Sequence, residues 1–147
     1  MKKFITLVTT FLLLPCLGSC SAKEIRPNLT PESVAEAFAD TEYSTFCHDI
    51  SDEDHIPFRR ELKVYHSCNE SRDYILIYFF DDGQAAKDFQ KENQSKAGMV
   101  WFFSLLFGES TMVHYDRYDY MVVESYKNKS APSRDEMIKI LESVIYS

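Results

Sequence analysis

Glycine and proline are scarce, at four and five of 147 residues. That excludes a collagen-like repeat and a low-complexity linker. Positive charge is also short: 16 Lys and Arg stand against 23 Asp and Glu, a net charge of -7. A chain this acidic is poorly suited to gripping nucleic acid phosphates. Four cysteines are too few for a disulfide-dense mini-protein. The chain has no Gly-x-Ser-x-Gly, Ser-x-x-Lys, Gly-rich phosphate loop, Cys-x-x-Cys or His-Glu-x-x-His, so no catalytic, cofactor or metal motif points to an enzyme. What remains is 45% hydrophobic, 14% aromatic and 27% charged. That is the composition of a folded chain, with length for one domain and not comfortably for two.

The N-terminus has a pattern of its own. Lys2 and Lys3 precede an apolar run over residues 4–14. Eleven helical residues cover only about 16 Å, roughly half a bilayer core, so the run is too short to span. It sits where a secretory signal sits. It ends in Leu17-Gly18-Ser19-Cys20, which resembles the lipobox of bacterial lipoproteins: an aliphatic residue, two small residues, then cysteine. The resemblance covers the first twenty residues. It implies cleavage before Cys20 and two or three acyl chains (palmitate among them) on that residue. More than one chain gives stable membrane attachment where a single chain does not. Cys16 follows Leu14 and Pro15 and is the poorer acceptor. Cleavage removes Lys2 and Lys3 and no acid, leaving 14 basic against 23 acidic side chains, a charge of -9. Such a surface stands off anionic lipid.

The remainder divides into a polar tether over residues 20–30 and a domain over residues 31–147. Thr30-Pro31-Glu32-Ser33 opens a helix, with Thr30 as N-cap and Pro31 at the first position. Residues 43–50 read as a strand. Residues 62–68 alternate, with Leu62, Val64, His66 and Cys68 on one face. Residues 74–80 form an unbroken apolar run, which predicts a central strand covered on both faces and a hairpin with the strand before it. A helix follows over residues 84–93, and the stretches 94–98 and 108–110 read as loops. Residues 111–115 and 119–126 make a second hairpin. Ser133 and Glu136 have capping-box spacing before a last helix with Met137, Ile138, Leu141, Val144 and Ile145 as its stripe. The expected fold is α+β: a single antiparallel sheet of about five strands with about three helices packed against it, in its simplest form on one face. The Ala85-Ala86-Lys87-Asp88-Phe89 stretch and the Tyr-rich pair over residues 115–126 also resemble a broad group of small extracytoplasmic lipoproteins. That resemblance implies no particular activity.

Three sets of side chains are candidates for function. Cys47 and Cys68 are the cysteines left in the domain once Cys20 is acylated. An even pair outside the cytoplasm invites a disulfide. Two buried thiols are the plain alternative. His48, His66 and His55 put imidazoles near these cysteines, so a redox or zinc role is the weaker reading. Neighbours such as Cys47 and His48 point to opposite faces of a strand, and no metal is expected. Asp49 and Asp52–Asp54 lack the glycine and distal glutamate of a calcium loop. The third set is the apolar stretch over residues 99–107. It holds Trp101, Phe102, Phe103 and Phe107, the aromatic type that anchors interfaces. As core it would be a buried strand or helix. Exposed, it would serve an envelope protein, a lipid surface or a small apolar ligand. The sequence therefore predicts a lipid-anchored protein on the extracytoplasmic side of a bacterial membrane, in the cell envelope. Its expected role is that of a non-catalytic binding or interaction module, without a cofactor.

Overall fold

Apolar residues at every second position, or in unbroken runs, put five strands into one antiparallel sheet. The computed structural model describes residues 25, 29–50, 56–66, 73–106, 112–127 and 133–147, the side chains of 100, 103–106 and 127 excepted. The elements are α1 (Pro31–Glu36), β1 (Tyr43–Asp49), β2 (Arg60–His66), β3 (Tyr74–Phe79), α2 (Gly83–Leu106), β4 (Met112–Tyr118), β5 (Met121–Lys127) and α3 (Arg134–Ile145). The strand order is β1-β2-β3-β5-β4. Tyr43 lies opposite His66, Tyr65 opposite Tyr74, Ile75 opposite Ser125, and Tyr118 opposite Met121. This is the expected α+β class with five strands and three helices.

The core lies mainly on one face of the sheet. Leu62 and Val64 of β2, Ile75, Ile77 and Phe79 of β3, and Met121 and Val123 of β5 meet Val34 and Phe38 from the α1 region and Met137, Leu141 and Ile145 from α3. The α3 stripe recurs at the helical period, so one face of that helix is apolar. Thr30 caps α1 as expected: its Oγ1 accepts from Ser33 N, and Ser33 Oγ accepts from Thr30 N.

Two expectations about the helices are corrected. The helices do not share one face: α2 lies on the other, along β4 and β5. The reason is the unbroken run in β3, whose Leu76, Tyr78 and Phe80 need cover of their own. Phe89 and Ala86 of α2, Phe58 and Val122 supply it. Ser133 is not a side-chain cap either. Its backbone is already helical (φ -82°, ψ -6°) and its hydroxyl bonds no cap amide. Its backbone N–H instead donates to Asp73 Oδ2 at 3.3 Å. Glu136 is turned away to accept from the Tyr43 hydroxyl at 3.0 Å. Burial and this contact with Glu136 push the Tyr43 phenol up to about 12.

Candidate interaction surface

Residues 94–98, expected as a loop, are helical, and α2 runs unbroken for 24 residues. Asp82 starts it, its carboxylate accepting from Gln84 N at 3.0 Å and Ala85 N at 3.3 Å. Phe89 fixes its first half, with ring centroids 5.1 Å from Tyr78, 5.4 Å from Phe80 and 5.6 Å from Phe58. The second half is held by amides: Gln90 and Gln94 both donate Nε2–H to the Tyr115 carbonyl, at 2.8 and 3.0 Å. Two glutamines four apart on one strand carbonyl hold this part of the helix on β4. Gly98 imposes no break. A Cβ there would meet nothing within 4 Å, and a helical glycine costs only about 1 kcal/mol relative to alanine.

Beyond Ala97 the sequence of the helix is apolar, and several of its large side chains reach the surface. Met99 is 58% exposed, Trp101 41% and Phe102 57%, and Met112 at the start of β4 is 40% exposed. Trp101, Met112, Val113, Ala97 and Gly98 border a shallow groove of about 250 Å³. Of the four aromatic residues expected to form one surface, Trp101 and Phe102 are brought out together. Phe103 is helical with its side chain outside the described set, and Phe107 lies outside the described residues. Among the described residues no helix is long and apolar enough to cross a membrane.

The sheet face beneath α2 holds an array that the sequence reading missed. Glu124 is 7% exposed. Its carboxylate accepts the Tyr78 hydroxyl at 2.8 Å and the Tyr126 hydroxyl at 2.5 Å. Tyr126 packs on Tyr74 at 5.2 Å, and the Lys63 ammonium lies 5.0 Å from the Tyr74 ring centre and 5.2 Å from that of Tyr65. Burial, reinforced by the charge on Glu124, pushes the phenols of Tyr78, Tyr115 and Tyr126 far up. Burial likewise raises Glu61, with Glu124 adding to the effect and His48 and Lys63 opposing it. The sequence carried one signal: Glu124 is a lone acid inside the β-forming run of β5, on the side shared by Val122 and Tyr126.

These phenols link stability to pH. A phenol whose pKa rises on folding stabilises the fold below its unfolded value of 10, and that contribution is lost as pH climbs through the folded value. Tyr43 is raised to about 12; Tyr78, Tyr115, Tyr118 and Tyr126 are raised as well. The melting temperature is expected to hold to about pH 10 and to fall steeply toward about pH 12. The phenolate absorbance of these five tyrosines should appear together with unfolding. Full phenolate absorbance in a still-folded protein would contradict the tyrosine–carboxylate array.

Of the cysteine and histidine candidates, Cys47, His48 and His66 are spread by the strand register. Cys47, exposed on the edge strand β1, lies opposite Leu62. His48 points to the other face opposite Glu61, and His66 pairs with Tyr43. Among the described residues no group of His, Cys, Asp and Glu could hold a metal ion. His55 and residues 52–54 lie outside the described set, as does Cys68. A bridge from Cys47 needs a Cα partner within about 7 Å. The described contact of Cys47 is with Arg60, whose Nη2 approaches its sulfur at 3.6 Å. Arg60 also pairs with Asp49 at 2.6 Å and Glu32 at 2.5 Å, which ties α1 to the sheet edge. The Arg60 hydrogen bond holds the Glu32 carboxyl down at about 2. Burial raises the Cys47 thiol against the pull of Arg60, the reverse of what a reactive thiolate needs.

Compared with protein-family models, with curated proteins and with solved structures, the chain finds no match.

Proposed function

We propose that this is a lipid-anchored extracytoplasmic protein whose domain is a non-catalytic interaction module, working through the apolar end of α2. The observation that carries the reading is the joint exposure of Met99, Trp101 and Phe102 on one helix end, with Met112 beside them. Large apolar side chains grouped at a surface mark interaction sites, and tryptophan and phenylalanine are typical anchors. The anchor rests on the Leu17-Gly18-Ser19-Cys20 sequence. Its acyl chains would keep the domain at the cell envelope, on the outer side of a bacterial membrane.

A second reading is supported by the groove beside Trp101: a site for a small apolar ligand. At about 250 Å³ the groove is smaller than the roughly 300–1,000 Å³ usual for ligand sites, so the interaction reading is favoured. One titration separates the two. Trp101 is the only tryptophan, so its emission reports this site alone. Under the interaction reading, medium- and long-chain fatty acids below their micellar concentrations leave that emission unchanged. A saturable blue shift with one-to-one stoichiometry would replace the interaction reading with the ligand reading.

A further inference from the structure

α2 outruns the strand it lies on. It starts beside the turn from β4 to β5, where a Cβ on Gly83 would sit 3.6 Å from the Tyr120 ring. It then runs against the direction of β4, passing Tyr115 at Gln90 and Gln94 and reaching Met112, the first residue of that strand, at Trp101. The helix continues to Leu106. The residues after Trp101 add about 8 Å at the helical rise, so the tip projects past the start of β4. Residues 97–108 carry no charge.

The exposed side chains of this tip do not form one stripe. Trp101 borders the groove beside Met112. At a turn of about 100° per residue, Met99 stands about 200° round the helix from Trp101, and Phe102 about 100°. All three are at least 41% exposed. A groove on a protein takes one face of a helix, and so does the matching patch of a second copy. Either would leave Met99 or Trp101 in water. A medium that surrounds the tip covers all three, and the headgroup–acyl boundary of a bilayer is such a medium. Helices at that boundary sink roughly 5–10 Å, the depth that the projecting tip offers, and tryptophan favours that level.

We infer that the tip of α2 enters the surface layer of the same bilayer to which Cys20 anchors the chain, as a second membrane contact. The inference rests on the acyl anchor of the proposed function and names a lipid surface as what the apolar helix end meets. The anchor holds that surface within reach. Ten residues from Cys20 to Thr30 extend to at most about 35 Å, more than the roughly 27 Å from Gly83 to Trp101. With Ile25 in the groove that it borders with Phe80 and Tyr120, five residues still reach about 18 Å, enough once α2 leans about 50° from the bilayer normal. The processed chain, with 14 basic against 23 acidic side chains, carries a charge of -9, which opposes a flat approach to anionic lipid. A tip-first approach avoids that repulsion. Lys87, Lys91 and Lys96 outnumber Asp88 and Glu92 along α2. Glu92 lies about 15 Å before Phe102 along the helix, beyond the screening length of about 8 Å at physiological salt.

The full lipidated protein, extracted from its own membranes, is inserted from dilute detergent into preformed phosphatidylethanolamine–phosphatidylglycerol vesicles with plain or brominated acyl chains. The expected result is flotation with the vesicles, Trp101 emission at least halved by the brominated chains, and weak quenching by iodide in the buffer. A floating protein with equal emission in both lipids and strong iodide quenching overturns the inference and leaves the anchor standing. A floating protein whose Trp101 is shielded from both quenchers also overturns it, since a second copy or another part of the protein then covers the tip. A chain that does not float overturns the anchor and the inference together. Met99→Asp combined with Phe102→Asp, both at exposed positions, should abolish most of the quenching by brominated chains and leave flotation and helicity unchanged. Bromine quenching that survives the two aspartates in a folded, floating protein overturns the inference.

Discussion

Cys20→Ser is expected to remove every acyl group from the protein and to leave the full-length chain uncleaved, whereas Cys16→Ser changes neither. The effect is all-or-none, because the thiol of the residue at the cleavage site accepts the lipid in the family that the lipobox resembles. One acyl chain alone supports an affinity of about 10⁴ M⁻¹, and stable attachment needs a second. Among the described residues no helix is long and apolar enough to cross a bilayer. Intact mass of detergent-extracted protein reads the outcome. Wild type should show a chain beginning at Cys20 with a diacyl or triacyl adduct. An unmodified full-length wild-type chain would end the anchor proposal. The same spectrum without reductant tests the pairing of Cys47 with Cys68, since a bridge lowers the mass by two hydrogens.

The second large effect is expected in the core. Phe38→Ala should cost about 3–5 kcal/mol, the usual loss for deleting a buried aromatic ring. Phe38 is fully buried and meets Tyr43 edge-to-face at 6.2 Å, where α1 gives way to β1. Total stability for a domain is about 5–15 kcal/mol, so the variant should melt roughly 10–20 °C lower. Phe46→Ala is the control. Phe46 lies on β1 only eight positions away but is 61% exposed, so its loss should stay within about 0.5 kcal/mol. Equal destabilisation by the two substitutions, in chemical or thermal melts, would mean that the face assignment of β1 is wrong.

That contrast shows how far the strands could be read from their pattern. Strand side chains alternate strictly, so a stretch such as Leu62-Lys63-Val64 states its own two faces. Leu62 and Val64 are buried as that alternation requires. The unbroken apolar run of β3 likewise announced a central strand, and α3 announced its stripe through Met137, Leu141 and Ile145. α2 was not legible in the same way. Its Gln94-Ser95-Lys96-Ala97-Gly98 stretch lacks an apolar period, and its attachment to β4 runs through glutamine amides on one backbone carbonyl. Hydrogen bonds of that kind leave no hydrophobic signature, and a single exposed glycine is too small a penalty to end a helix already fixed by Phe89.

The candidate surface divides similarly. Trp101 and Phe102 stood out by type alone, yet their exposure depended on where the helix met the sheet. A 24-residue helix is about 36 Å long, whereas the seven residues of β4 cover about 23 Å. The tyrosine hydroxyls around Glu124 were not legible as a group, because Tyr78 and Glu124 lie 46 positions apart and meet only through the β3–β5 pairing.

By itself, then, the sequence determined the elements whose signal is local: five β-forming stretches, the Thr30 cap, the α3 stripe, and the leader pattern ending at Cys20. Periodicity and capping act within a few residues, so they can be read without knowing the neighbours. Only the tertiary structure decided the order β1-β2-β3-β5-β4, the placing of α2 on the face opposite α1 and α3, and the exposure of Met99, Trp101 and Phe102. These depend on which apolar faces remain uncovered once the sheet has formed, a balance of burial across the whole fold that no single stretch of sequence encodes.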